Sequence, residues 1–207
     1  MPPDIHLPLI MLAALAVQAS PGPATLAIAG TSLNGGRRAG LAVASGITTG
    51  SLVWSISAAL GLGTLMAAAA WPLEVVRYLG GCYLLFLAAK SARAALRRTA
   101  APVAGLRGDR HGLYRKGVLL HLTNPKAILF FGALYSIGLP PGASWSQLAL
   151  VVLVVGLQGA AINHGYALLF STPRLARGYA RLRRGFDGVM ALGFALAGVK
   201  VLTARLS

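Results

Sequence analysis

This sequence has very few acidic residues and a single cysteine. Its 207 residues include four acidic residues and one cysteine, Cys82. A single cysteine excludes an intrachain disulfide and a cysteine-based metal cage. Only 11% of the residues are charged, whereas a soluble domain has about 25%. The chain therefore has too few polar residues to cover a globule in water.

Long apolar stretches take the place of the missing charge. Hydrophobic residues make up 56% of the chain, and loop signals divide them into six segments that are each long enough to cross a bilayer as a helix. These segments are 5–29, 40–66, 72–92, 117–139, 145–171 and 186–204. Together they use most of the chain, so the sequence predicts an all-α membrane protein with one transmembrane domain, 1–207.

The net charge of +15 is distributed unevenly between the connections. Basic residues concentrate between segments one and two, three and four, and five and six, whereas the other two connections carry none. Under the positive-inside rule, the basic connections are cytoplasmic and both termini lie outside. The arginines are then topology determinants and contacts for anionic lipid, and no nucleic-acid partner is predicted. The residues concerned are Arg37, Arg38, Arg93, Arg97, Arg98, Arg107, Arg110, Arg115, Lys116, Arg174, Arg177, Arg181, Arg183 and Arg184.

Two of the apolar segments are interrupted by proline. The first interruption is Ser20-Pro21-Gly22-Pro23, and the second is Asn124-Pro125-Lys126. A proline break in a membrane helix frees backbone groups, which is tolerated only where protein or a water-filled cavity satisfies them. Breaks at corresponding places in two halves of a chain are typical of a transporter's substrate site.

The polar stretch 97–116 separates these two halves. Residues 1–96 form the first half and 117–207 the second, with three segments each, and 97–116 is predicted to be a cytoplasmic basic loop. An odd number of crossings gives related halves opposite orientations. The sequence therefore predicts six helices in two inverted three-helix repeats, with helices 1 and 4 broken at the proline motifs.

Few ionisable residues fall inside the apolar segments, where they are costly and tend to be functional. Lys126 follows the second break, and its ammonium is a candidate partner for a carboxylate or for free carbonyls. His121 and His164 are candidates for a proton-coupled step, because histidine changes charge near neutral pH. Two histidines without a nearby carboxylate make a poor metal site, and no metal is predicted.

The motifs as a set resemble the lysine exporter superfamily, and within it the LysE/RhtB-type, homoserine/threonine exporter-like amino-acid translocators. The resemblance runs nearly end to end. It implies six helices in two inverted repeats and export of amino acids or related metabolites. Family members often carry an aspartate where this chain has Asn163. The family resemblance rests on five motifs: SPGPA from Ser20, GLAVASGITTG from Gly40, VRYLGGCYLLFLAAKSAR from Val76, NPKAILFF from Asn124 and FDGVMALGFALAGVK from Phe186.

We therefore expect a secondary active exporter of a small, neutral amino acid or derivative in the bacterial inner membrane. Export of a metal ion or other small solute, and a non-transporting membrane scaffold, are the alternatives. No enzymatic activity and no cofactor are expected, and the oligomeric state is left open, with a homodimer as one candidate. The predicted substrate-binding residues are Ser20, Pro21, Gly22, Pro23, Gly46, Thr49, Asn124, Pro125, Lys126, Gly159 and Asn163.

Overall fold

A computed structural model describes residues 5–68, 71–96, 105–139 and 143–203. Within these ranges the chain is helical, with short connections and no β-strand. The helices are α1 (Leu7–Ala19), α2 (Pro23–Ala68), α3 (Trp71–Leu96), α4 (Arg110–Leu122), α5 (Pro125–Gly138), α6 (Trp145–Phe170) and α7 (Pro173–Thr203).

Both proline motifs break a helix, as the sequence predicts. Helix α1 ends at Ala19, and Ser20 is extended, with φ −71° and ψ 144°. Helix α4 ends at Leu122, and α5 begins at Pro125 after a bend of 57°. Proline suits the first position of α5, because its missing N–H would have had no partner inside the helix.

A third interruption lies inside α2. Gly36 has φ 77° and ψ −178°, a backbone conformation that side chains with a Cβ rarely adopt. The helical stretch 23–35 therefore continues the first broken segment, and 37–68 forms the long helix that follows it.

Large parts of the outer faces of the helices are apolar. By length and composition, two of the described helices could cross a membrane, Pro23–Gly61 and Trp145–Phe170. The bent pair α4–α5 makes a third if it is counted as one span. Leu153 and Leu157 on α6, together with Leu192 and Leu196 on α7, are all more than half exposed. Such faces suit lipid, whereas the six crossings and the inverted repeat stay predictions.

Two predicted loops are partly helical. Residues 110–116 belong to α4, and the described part of the predicted loop 97–116 includes only 105–109 before that helix. The arginine-rich stretch from Arg174 to Arg184 lies in α7. These predictions were wrong because charge was taken as the sign of a loop, although arginine is a good helix former. The sixth apolar segment is predicted to begin at residue 186, but α7 begins at Pro173, so Asp187 lies inside this helix, where it is 1% exposed.

The core forms where α1 packs against α5 and α6. Ile10 and Ala14 of α1 are fully buried against Tyr135 of α5 and Val151 and Val155 of α6. Elsewhere, α2 packs extensively against α4 and α6, and α3 packs against α7. The two broken helices consequently share one core, and their breaks lie close together.

Helices α2 and α4 meet along a seam of glycines. A Cβ atom at Gly117 would lie 2.6 Å from the carbonyl oxygen of Val43, and one at Gly50 would lie 2.9 Å from Cβ of His121. Small residues of this kind allow membrane helices to approach at backbone distance. The seam fixes the position of α4, and through it the second break.

We predict that Gly117→Ala destabilises the folded protein by about 1–3 kcal/mol, because an added methyl overpacks the seam against a backbone oxygen. The measurement is thermal unfolding of the detergent-solubilised protein. Gly165→Ala is the matched control, since a Cβ there meets no atom within 4 Å outside its own helix. Equal melting temperatures for the two variants would contradict the close approach.

Candidate functional site

The two breaks are joined by a single side chain. Lys126 Nζ donates a hydrogen bond to the carbonyl oxygen of Ser20 at 3.0 Å and a second, short one to Ser20 Oγ. Ser20 is 1% exposed, and its own hydroxyl donates to the carbonyl oxygen of Val17 at 2.8 Å. The hydroxyl proton is therefore used within α1, and a lone pair of Oγ faces the ammonium.

The carbonyls that the first break frees are satisfied from the second half of the chain. A helix ends with carbonyls that lack intrahelical partners. Tyr166 of α6 donates its hydroxyl to the carbonyl oxygen of Ala19 at 2.6 Å. The carbonyl oxygen of Ser20 also accepts from Thr25 Oγ1 at 3.3 Å, in addition to Lys126. The carbonyls of Ala19, the last residue of α1, and of Ser20, its C-cap, thus each have a partner.

Asn124 sets the direction of the second break. It is the N-cap of α5, and its side-chain oxygen accepts from the backbone N–H of Lys126 at 3.1 Å. Its own backbone N–H donates to the carbonyl oxygen of His121 at 3.1 Å. This cap places Lys126 at the second position of α5, so that its side chain extends from the start of that helix towards the end of α1.

Gly22 gives Lys126 room to cross the first break. A Cβ atom at position 22 would lie 3.3 Å from Cδ and 3.4 Å from Nζ of Lys126. The first distance is tighter than ordinary van der Waals contact, and the second is at its lower limit. The glycine between the two prolines therefore allows the lysine stem to lie against the backbone of the break.

A cavity of about 50 Å³ lies beside this contact, and residues of α1, α2, α4, α5 and α6 line it. It has room for a few water molecules. Of the predicted site residues, the structure brings Gly22, His121, Asn124, Lys126, Gly159 and Asn163 to its wall, and Ser20 is bound to one of them. Sequence reasoning missed its other lining residues, which are Val17, Gln18, Ala24, Thr25, Ser51, Ala127, Phe130 and Phe131.

Three predicted residues are placed away from this cavity. Gly46 lies against the backbone of Tyr114 in the glycine seam, and Thr49 Oγ1 is 2.9 Å from the hydroxyl of Tyr114. His164 lies 3.1 Å from Ser45 Oγ through Nε2 and 2.8 Å from the carbonyl oxygen of Ala160 through Nδ1. The three prolines Pro21, Pro23 and Pro125 shape the breaks but do not line the cavity.

Polar side chains at the wall differ in whether they have partners. Asn163 donates to Thr48 Oγ1 at 3.3 Å, and Gln18 donates to the carbonyl oxygen of Val155 at 3.2 Å. Both ring nitrogens of His121 and the side-chain oxygen of Gln18 are buried without a hydrogen-bond partner among the described residues. A polar molecule bound in the cavity could form hydrogen bonds with these groups.

The described residues contain no group of three or more histidine, cysteine or acidic side chains that could hold a metal ion. The cavity offers an ammonium, amides, hydroxyls and an imidazole, and none of its lining residues is a carboxylate. This set suits a small polar molecule that carries an anionic group.

The sequence comparisons give the class of protein that this fold and site belong to. The family described as LysE type translocator matches residues 15–205, and the chain belongs to this family. The threonine efflux protein of Escherichia coli K12 is 32% identical over 193 residues, which cover 90% of this chain and 92% of that protein. An uncharacterized membrane protein of Pseudomonas aeruginosa is 35% identical over 195 residues, or 90% of each chain.

A more distant relative is the leucine efflux protein of Enterobacter sp. strain 638. It is 29% identical over 181 residues, which cover 84% of this chain and 86% of that protein. No solved structure matches the chain. The family resemblance that the sequence motifs indicate is confirmed.

We predict that Tyr166→Phe destabilises the protein by about 1 kcal/mol, because the carbonyl of Ala19 loses its donor and Tyr179 loses a side-chain hydrogen bond, while the aromatic packing is kept. Thermal unfolding in detergent measures the change. Tyr83→Phe is the control, since the Tyr83 hydroxyl makes no hydrogen bond within the described part of the chain. A loss of stability that is equal in both variants would show that the bond to Ala19 contributes nothing specific.

Proposed function

We propose that this chain is a secondary active exporter of a small, neutral amino acid across the bacterial cytoplasmic membrane. The cavity between the two breaks is its substrate site. The observation that carries the proposal is the juxtaposition of Lys126 and the Ser20 carbonyl at that cavity. The relatives named for threonine efflux and leucine efflux support an amino-acid substrate with an uncharged side chain.

The dipoles of the two half-helices support binding of a zwitterion. The N-terminus of α5 carries partial positive charge and the C-terminus of α1 partial negative charge. Discontinuous helices in transporters present such ends to the anionic and cationic groups of their substrates. The ammonium of Lys126 adds a full positive charge on the side of α5, and the carbonyl of Ser20 an acceptor on the side of α1.

The side chain of the substrate would face a wall without a carboxylate. Burial of a second positive charge there would cost several kcal/mol of desolvation without a compensating partner. Asp187 is buried in α7, but it is not among the residues that line the cavity. A neutral side chain would meet Phe130, Gly159 and the amide of Asn163 instead.

The size of the cavity supports alternating access. About 50 Å³ is far below the roughly 300 Å³ at the lower end of ligand pockets. An amino acid would therefore enter only after the half-helices separate, and the described arrangement corresponds to a closed state. The sequence has no phosphate-binding loop, so export would be coupled to a gradient rather than to ATP.

Purified protein in liposomes that are loaded separately with threonine, leucine, lysine and arginine would test the substrate class. We expect efflux of threonine or leucine to exceed that of lysine and arginine, because only the neutral side chains need no buried counter-charge. Faster efflux of the dibasic amino acids would contradict the neutral site. Release of none of the four at rates above protein-free liposomes would favour a scaffold or an exporter of another solute.

Asn163→Asp is expected to shift the preference towards lysine severalfold, because it places a carboxylate at the cavity wall. Asn34→Asp makes the same chemical change at an exposed position and is the matched control. An unchanged ratio of lysine to threonine efflux in Asn163→Asp would show that this side chain does not face the transported molecule.

We also propose that both termini lie outside the cytoplasm, since the basic connections alternate with uncharged ones along the chain. Fusions to a reporter that is active only outside the cytoplasm are expected to be active at the N-terminus and the C-terminus. A fusion after Gly36, between the helical stretches 23–35 and 37–68, is the inactive control. An active Gly36 fusion together with inactive terminal fusions would show that the chain has the opposite orientation.

A further inference from the structure

The bond between Lys126 and Ser20 occupies the groups that an amino acid would need. Lys126 Nζ lies 3.0 Å from the Ser20 carbonyl oxygen, so the ammonium of the site already occupies the carbonyl that would accept from a substrate. A substrate that binds to either group must compete with this internal bond. The bond is therefore part of the recognition step, whatever else surrounds the substrate.

The ammonium is placed unfavourably with respect to its own helix. Lys126 is the second residue of α5, where the helix dipole disfavours a cation, and it is held instead by the C-terminal carbonyls of α1, which favour one. An anion that reached Lys126 would be stabilised by the lysine and by the N-terminus of α5 together. A cation that reached Ser20 would replace Lys126 at the C-terminus of α1.

A zwitterion can make both replacements at once. We propose that a zwitterionic amino acid opens the site by exchange: its carboxylate takes the ammonium of Lys126, and its own ammonium takes the carbonyl of Ser20 that Lys126 leaves. This inference rests on the proposed function and specifies how that site selects its substrate. Every charge keeps a partner, and the exchange brings no net charge into the cavity.

The remaining hydrogen bonds at Ser20 need not change during the exchange. Thr25 Oγ1 donates to the same carbonyl oxygen at 3.3 Å, which leaves the other lone pair for the substrate's ammonium. The hydroxyl of Ser20 donates back to Val17 within α1. Among the groups bound to Ser20, only the lysine side chain has to move once the half-helices have separated, and its stem lies against Gly22, where no Cβ obstructs it.

Exchange predicts that a substrate lacking one charged group is rejected, because it would leave either Lys126 or Ser20 without a partner. The first test uses the unaltered protein in liposomes with threonine, threoninamide, which lacks the carboxylate, and 3-hydroxybutyrate, which lacks the ammonium. We expect efflux of threonine alone, and no competition by either analogue at concentrations that saturate threonine efflux. Efflux of either analogue at the threonine rate would overturn the exchange.

The second test uses variants with opposite expected effects. Lys126→Met removes the carboxylate partner and is expected to raise the KM for threonine about tenfold or more, as for the loss of one hydrogen bond to a charged group. Lys116→Met is the matched control, because Lys116 is exposed and donates to the carbonyl of Arg107 outside the cavity. Ser20→Ala weakens the internal bond but keeps the carbonyl, so it is expected to lower the KM about two- to threefold.

The outcomes separate the exchange from the proposed function. If the unaltered protein releases no amino acid faster than protein-free liposomes, the exporter assignment fails and the exchange fails with it. If threonine is released but Ser20→Ala leaves the KM unchanged or raises it, the exporter assignment stands and the exchange is overturned. The analogue series does not depend on any variant, so misfolding of Lys126→Met would not affect it.

Discussion

The need to satisfy the backbone carbonyls at the end of α1 is the constraint on which the rest of the site depends. In hydrocarbon, an unsatisfied carbonyl costs several kcal/mol, and no bulk water is at hand to replace the lost helix bonds. The chain meets this need with Tyr166 and Lys126, both from its second half. The break therefore ties the halves together, and the bond from Lys126 puts a positive charge at the wall of the cavity.

The contacts around α1 differ in kind from those between α2 and α4. In the glycine seam, backbone lies against backbone at Gly46 and Gly117, and Gly50 lies against Cβ of His121 and the carbonyl oxygen of Val118. Helix α1 is held instead by apolar packing and by side chains that reach across to it, such as Gln158, which donates to the carbonyl of Met11 at 3.2 Å. Side-chain bonds can exchange partners without a change in helix spacing, whereas a backbone seam cannot. The cavity lies beside α1, where side-chain hydrogen bonds can exchange partners.

The sequence predicted the parts of this arrangement that depend on backbone chemistry. Proline inside an apolar run breaks a helix whatever surrounds it, so both breaks could be placed, and Lys126 could be selected from its rarity at such a position. Which side of a long apolar helix packs against which neighbouring helix could not be predicted from the sequence. A helix that is apolar all round has no polar face to orient it, so Gly46 and Thr49 were assigned to the substrate path although they contact α4. Tyr166 could have been found by asking which side chains would satisfy the freed carbonyls, whereas Gln18 donates to Val155 inside α6 and gives no such signal.

The side-chain tethers of α1 share one property with an evolutionary consequence. Gln18, Gln158, Tyr166 and Lys126 each donate a hydrogen bond to a backbone carbonyl, and Lys126 donates to the Ser20 hydroxyl in addition. A substitution can delete a donor, but every amino acid supplies the acceptor. Substitution of Val155, Met11 or Ala19 would therefore keep the carbonyl that accepts the hydrogen bond. Only the donor residues are constrained by these contacts. A lineage could thus reshape the apolar surroundings of the cavity, and with them the molecules it admits, without dismantling the framework that holds the half-helices together.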